Sequence, residues 1–547
     1  MVSTDKPAQG PTARLPQGLV VGTTLKGEYP RSIEAFRGIP YALSPTGDRR
    51  FRPPVNVPNS HDTIDATQFG PRAPARQFVK VGPALEESED CLTVNVFRQA
   101  QHSHVSDLPV AVYFHGGAFN RGNAAMHDTA SMVGWSELPF VGVSFGYRIG
   151  ALGFLPSKLS ATEGALNLGL KDQICLLEWV EENIRHFGGD KNNVTLIGLS
   201  AGAHSIGHHL LNYDEGKAPK FHRVVLESGA PTSRAVRNPD AEIHEAQFKD
   251  FLKQVNCPAS LPETDVFDYL RSIPTAVIAD AQTTVFAKYN ASLRWAFQPV
   301  IDNATVRGRP IDAWRTGKWH KVPIMTGFQG NEGSLYVDKQ MSTSHEFTAF
   351  WQTLLPQLSP DDIAHINGLY PDPHTHPASP YAESRTALGV GDMYARIEAA
   401  YAHYAYVAPV RQTAFFASQH VPVYVYHWAL RRDVIDGAKH GDNMLFEVRD
   451  AALCKQAPSL AKLSGMLHAY VTSFVCTGSP DGLRGAYGGR SPWSAYAGPD
   501  PRVLMFGGGN SEFIGGERVG ELVELVEDEF ARRESEFWWS KVEVSQQ

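Results

Sequence analysis

The sequence predicts an α/β fold, with a mostly parallel central sheet and helices on both faces. Three observations predict it. Short apolar runs suited to buried strands occur at residues 110–114, 141–145, 194–198, 224–226, 323–326 and 423–426. Segments with apolar residues at helical spacing separate them, for example Ile174, Leu177, Val180 and Ile184. Several of the strand runs also end in bends of small residues, as at His115-Gly116-Gly117 and at Gly198, which suits tight strand-to-helix turns.

In chain order, residues 1–17 are polar, carry Pro and Gly, and read as a flexible tail. Residues 18–547 read as one domain. Within it, residues from about 235 to 420 are richer in helical pattern, which suits an insertion covering one edge of the sheet. Residues 517–544 are charged and amphipathic, and predict a closing surface helix.

Composition narrows the function classes. Of 547 residues, 42% are hydrophobic and 20% charged, as in a globular chain. A net charge of -8 and a pI near 6.2 give no reason to expect nucleic acid or an anionic membrane as partner. No run of about 18 apolar residues offers a membrane span. The first 14 residues hold no apolar segment of the secretory kind. The five cysteines are odd in number and widely scattered, which argues against a disulfide framework. Together these predict a reducing, cytoplasmic compartment. Nothing in the composition sets an oligomeric state.

The chemistry is concentrated at Gly198-Leu199-Ser200-Ala201-Gly202, directly after a strand run. This is the G-x-S-x-G pattern of a strained turn that lifts a serine hydroxyl out at a helix N-terminus. The backbone N–H of Ala201 would then face an oxyanion developing on the substrate. The run His115-Gly116-Gly117-Ala118-Phe119 follows an earlier strand. Its small residues let two N–H groups converge on the same oxygen, with Gly116, Gly117 and Ala118 as the oxyanion-hole candidates of this loop. Leu199 and Phe119 neighbour these two elements and are candidate pocket walls.

Further blocks extend the pattern in a fixed order. They include Phe36-Arg37-Gly38-Ile39-Pro40, Arg50-Phe51-Arg52-Pro53-Pro54 and Ser88-Glu89-Asp90-Cys91-Leu92. Tyr147-Arg148, residues 167–172, Phe187-Gly188-Gly189-Asp190 and Glu227-Ser228-Gly229 continue it. With these blocks the chain resembles the type-B carboxylesterase and cholinesterase family over nearly its whole length. The resemblance implies the α/β-hydrolase fold and a serine carboxylic-ester hydrolase. It also implies the partners of Ser200: Glu332 in Gly327-Phe328-Gln329-Gly330-Asn331-Glu332-Gly333, and His440 in Lys439-His440-Gly441-Asp442.

In that mechanism His440 takes the serine proton, Glu332 orients the imidazole, and an acyl-enzyme forms and is hydrolysed. The partner is a small-molecule ester, and the steps call for no cofactor and no metal. Acyl transfer to another alcohol would use the same residues. A non-catalytic binding module is disfavoured by the three residues being present together.

Four positions depart from the family's usual pattern. Leu199 replaces a glutamate, Ala118 a third glycine, Ala73 a cysteine that would pair with Cys91, and Asn443 an acidic residue. Leu199 removes a carboxylate beside the nucleophile, which predicts neutral, apolar esters over choline esters.

Overall fold

Runs of β-branched and aromatic residues between helices set the strands of the computed structural model, which describes residues 10–77, 82–498 and 501–546. In chain order the first strands are β1 (Thr12–Leu15), β2 (Gly18–Val21), β3 (Thr23–Leu25), β4 (Ile33–Pro40), β5 (Thr63–Asp65), β6 (Thr93–Gln99) and β7 (Leu108–Phe114). The rest are β8 (Val141–Phe145), β9 (Gly189–Leu199), β10 (Arg223–Glu227), β11 (Ile324–Gln329), β12 (Val423–Trp428), β13 (Arg502–Phe506) and β14 (Val523–Glu527).

Eleven strands form the main sheet in the order β14-β13-β12-β11-β10-β9-β7-β8-β6-β4-β3. From β8 to β13 every neighbouring pair is parallel, and the outer strands on both flanks pair antiparallel. Helices cover both faces of the parallel part. Every residue of β8 and β11 is accordingly buried, as a sheet packed on two sides requires.

Successive residues of β9 feed different cores because side chains alternate across a strand. Leu196 joins Val224 and Leu176 in one core, on the side of the helices Leu168–Asn183 and Ala201–Leu211. Ile197 and Leu199 join Val225, Tyr426 and Leu467 in the other, against the helix Pro458–Thr477. A third, aromatic core joins Phe347, Trp351, Tyr401, Tyr404 and Trp538.

Three expectations are corrected. The tail expected over residues 1–17 contains β1, which pairs antiparallel with β2. Ala13 and Leu15 alternate inward there, a pattern too short to read in a polar segment; residues 1–9 lie outside the described residues. The closing helix expected over 517–544 is instead β14 followed by the helix Arg532–Ser540. The run Val-Glu-Leu-Val-Glu pairs with β13 as an edge strand. The helix-rich stretch 235–420 is interrupted by β11, a central strand, so its helices fall on either side of a sheet element.

Candidate active site

Ser200 stands between β9 and the helix Ala201–Leu211 with φ 59° and ψ −123°, an unusual conformation for a residue with a Cβ. The turn closes because the flanking glycines carry no side chain. A Cβ on Gly202 would lie 2.0 Å from the Phe114 carbonyl oxygen, and one on Gly198 2.6 Å from the Gly202 carbonyl carbon. The Ser200 N–H donates to the Glu227 carbonyl at 2.9 Å, tying the strained residue to β10.

The loop after β7 is pressed against this turn. A Cβ on Gly116 would lie 2.7 Å from the Leu199 carbonyl oxygen and 3.1 Å from Ser200 Cβ. Gly117, Ala118 and Phe119 all have positive φ, at 116°, 55° and 60°. Such a backbone costs a non-glycine residue of order 1 kcal/mol or more. At Ala118 it is held from outside: the carbonyl accepts from Asn120 Nδ2 and Gln298 Nε2, each at 2.9 Å. Alanine therefore keeps the loop conformation where glycine is usual. Phe119 is buried, with its ring 5.0 Å from Phe154, so it packs within the protein more than it faces a substrate. Ala201, fully buried, opens the helix.

Glu332 and His440 meet directly. His440 Nδ1 lies 2.5 Å from Glu332 Oε2, and Glu332 Oε1 accepts the Gln329 N–H at 2.8 Å. The loops carrying them are zipped together. The Asn331 N–H donates to the Ala438 carbonyl at 2.9 Å, and the Ala438 N–H to Asn331 Oδ1 at 3.0 Å. With Nδ1–H directed at a carboxylate, Nε2 is left as the basic nitrogen. It is buried and has no hydrogen-bond partner among the described residues. The rings of Tyr336 and Tyr406 pack on the imidazole at 5.3 and 4.8 Å. The histidine loop also leans on the nucleophile turn, since a Cβ on Gly441 would lie 3.2 Å from Leu199 Cδ2. Leu199 is 8% exposed and packs beneath the histidine loop.

Behind the site runs a buried polar relay that the sequence did not announce. Gln329 Nε2 donates to Asn443 Oδ1 at 2.7 Å, and Asn443 Nδ2 donates to Glu227 Oε1 at 2.5 Å. Burial, then the neighbouring Glu447, holds the Glu227 carboxyl well above the usual carboxylate range. Asn443, standing where an acid is usual, bridges Gln329 and Glu227 by accepting through Oδ1 and donating through Nδ2, which one amide can do at once. His115, whose pKa burial pulls down to about 4, stacks on Tyr147 and is a packing element. Of the groups missed, Glu227 lay inside a quoted block and Tyr336 four residues beyond Glu332. Nothing near Tyr406 in the sequence marks it.

The Carboxylesterase family profile matches residues 9–519. The chain belongs to the carboxylesterase family. It is 32% identical over 533 residues to secreted lipase 4 of Gibberella zeae, covering 95% of this chain and 91% of that one. It is 34% identical over 333 residues to acetylcholinesterase of Electrophorus electricus, covering 58% and 51%. The crystal structure of Aspergillus niger EstA superposes with a TM-score of 0.83 at 26% identity, covering 99% of both chains. The α/β-hydrolase fold and a carboxylic ester hydrolase of small ester substrates are thereby shown.

The expectation of a cytoplasmic compartment is overturned, because a relative matching 95% of the chain carries the name secreted lipase. Free cysteines were a poor guide to compartment. All five are free, and Cys91 and Cys175 are buried in the core, beyond the reach of an oxidant. No helix among the described residues is long and apolar enough to cross a membrane.

Proposed function

We propose that the protein hydrolyses carboxylic esters through Ser200, His440 and Glu332. The observation that carries this reading is the 2.5 Å contact of His440 Nδ1 with the buried Glu332, which leaves Nε2 unpartnered in a loop whose Gly441 lies against Leu199 of the nucleophile turn. Nε2 takes the Ser200 proton as Oγ attacks the ester carbonyl, and Glu332 stabilises the imidazolium that results. The N–H groups of Gly117, Ala118 and Ala201, with Gly116 shaping the turn, stabilise the tetrahedral oxyanion. The imidazolium then protonates the leaving alcohol, and water repeats the cycle on the acyl-enzyme.

Leu199 beside Ser200 supports discrimination against choline esters, since no carboxylate stands there to attract a cation. The relative named as secreted supports an extracellular location for this chain too, tested by assaying culture medium and cell lysate from the source organism.

The deciding experiment is Ser200→Ala, expected to lower kcat by roughly 10⁴-fold or more with thermal stability unchanged. His440→Ala should cost nearly as much, because the groups act as a unit. More than a few per cent of residual activity in Ser200→Ala would assign the nucleophile elsewhere.

A further inference from the structure

The loop leaving β10 turns a cation toward the candidate site. The Arg234 guanidinium donates to the Tyr401 hydroxyl at 2.5 Å and to the Tyr406 hydroxyl at 2.9 Å. Its Cζ lies 4.2 Å from the Trp295 ring centroid, 5.7 Å from Tyr406 and 5.8 Å from Tyr336. Tyr336 and Tyr406 are the two rings that pack on His440. A fixed positive charge therefore stands one aromatic layer from the proposed base. The phenols do not neutralise it, because burial pushes the pKa of Tyr401 and Tyr406 up and keeps both protonated.

Beside Arg234 opens a cavity of about 50 Å³. Arg234, Arg237 and Arg294 line it, together with His244 and Gln247, and no aspartate or glutamate does. Arg294 Nε is buried with no hydrogen-bond partner. Arg237 Nε donates to the neutral Gln546 side chain at 2.5 Å. His244 is 4% exposed, and burial, then Arg237, lowers its pKa to about 4, so it adds no charge near neutrality. Three half-buried arginines around one small cavity repel each other, a cost that an anion would relieve. The volume suits a group of a few atoms, and a planar guanidinium matches a carboxylate.

We propose that the preferred ester carries a carboxylate beyond its scissile carbonyl, seated by Arg234 with Arg237 and Arg294 behind it. The inference rests on the Ser200 reading above and names the substrate class of that site: it replaces the neutral, apolar esters expected from Leu199 with anionic ones, and keeps the discrimination against choline esters. The reaction stays a hydrolysis: water cleaves the acyl–oxygen bond, the alcohol leaves with one proton, and the acid product loses the other. The carboxylate can lie in the acyl part, as in a monoester of a dicarboxylic acid, or in the alcohol part, as in an ester of a hydroxy acid.

The test compares kcat/KM for a monoalkyl succinate and for a butanoate ester of glycolate, each against a neutral ester of matched size. At least one anionic ester should be favoured by the wild type, and which one assigns the carboxylate to the acyl or alcohol side. The anionic-to-neutral ratio should fall by about tenfold or more in Arg234→Met and Arg294→Met, with partial retention in Arg234→Lys. A wild type that prefers both neutral esters, or a ratio unchanged in the folded variants, overturns the proposal. Turnover of the neutral esters, abolished in Ser200→Ala, keeps the hydrolase reading separately testable.

Discussion

Two sets of arginines divide this molecule, one buried and one half-buried. Arg148 forms a bidentate pair with Asp172, at 2.8 and 2.6 Å, and donates its remaining nitrogen to the Arg52 carbonyl. Arg50 pairs in the same way with Glu89, at 2.8 and 2.5 Å, and reaches three carbonyls of residues 270–273. Arg234, Arg237 and Arg294 lie around one cavity with no acidic side chain in its lining. The paired set satisfies its own charge and fixes chain segments to each other. The second set has only neutral partners, two phenols for Arg234 and an amide for Arg237, so its mutual repulsion is a cost to stability that a bound anion can offset.

The sharpest way to break this contrast is to cut one arginine from each set. Arg148→Met strands the Asp172 carboxylate, which is 0% exposed, and should cost about 3–5 kcal/mol in denaturant unfolding. Arg234→Met strands no acid but removes hydrogen bonds to the Tyr401 and Tyr406 hydroxyls, so its unfolding free energy should fall by less, about 1–2 kcal/mol. Equal losses in the two variants would erase the distinction.

The contrast sharpens at a buried acid that lacks a base. Glu398 is 5% exposed, accepts from Asn331 Nδ2 at 3.1 Å, and has its other oxygen unpartnered. Burial raises its pKa to about 7. Between the unfolded value near about 4.5 and this folded value the native state binds more protons, so stability falls as pH rises through that window. The loss should approach about 3 kcal/mol by pH 8. Glu398→Gln should flatten the fall, measured as unfolding free energy at pH 5 and pH 8. Parallel curves for wild type and variant would remove Glu398 from the account.

The smallest effect is expected from adding an acid beside the site. Leu199→Glu restores a carboxylate next to Ser200, and should raise kcat/KM for a choline ester relative to its neutral isostere by up to about tenfold. An unchanged ratio would show that this side chain, packed against Gly441, does not reach the substrate.

The paired set was legible in the sequence in an indirect way. Arg50 and Glu89 belong to the Arg-Phe-Arg-Pro-Pro and Ser-Glu-Asp-Cys-Leu blocks, and Arg148 and Asp172 to Tyr-Arg and residues 167–172. The blocks were visible, but their being two halves of buried ion pairs was not. Phe119 shows the opposite error: its place beside the oxyanion loop suggested a pocket wall, while its ring packs on Phe154. The polar N-terminus hid β1, because two inward residues make too short an alternation to separate from a tail.

The sequence by itself determined the elements whose geometry is local. Gly198 is demanded by a contact of 2.6 Å with Gly202 inside the turn itself, so the tightness of the turn is written in five consecutive residues, although Gly202 also answers to the Phe114 carbonyl on β7 at 2.0 Å. The parallel sheet likewise follows from strand runs and intervening helices. Tertiary structure alone decided what meets at a distance. Asn443 is matched to Glu227 across 216 residues, and Arg234 to Tyr406 across 172. Neither pairing has a period or spacing of its own. Each exists because packed helices and strands carry two distant segments to one place, where burial makes every unmatched charge costly.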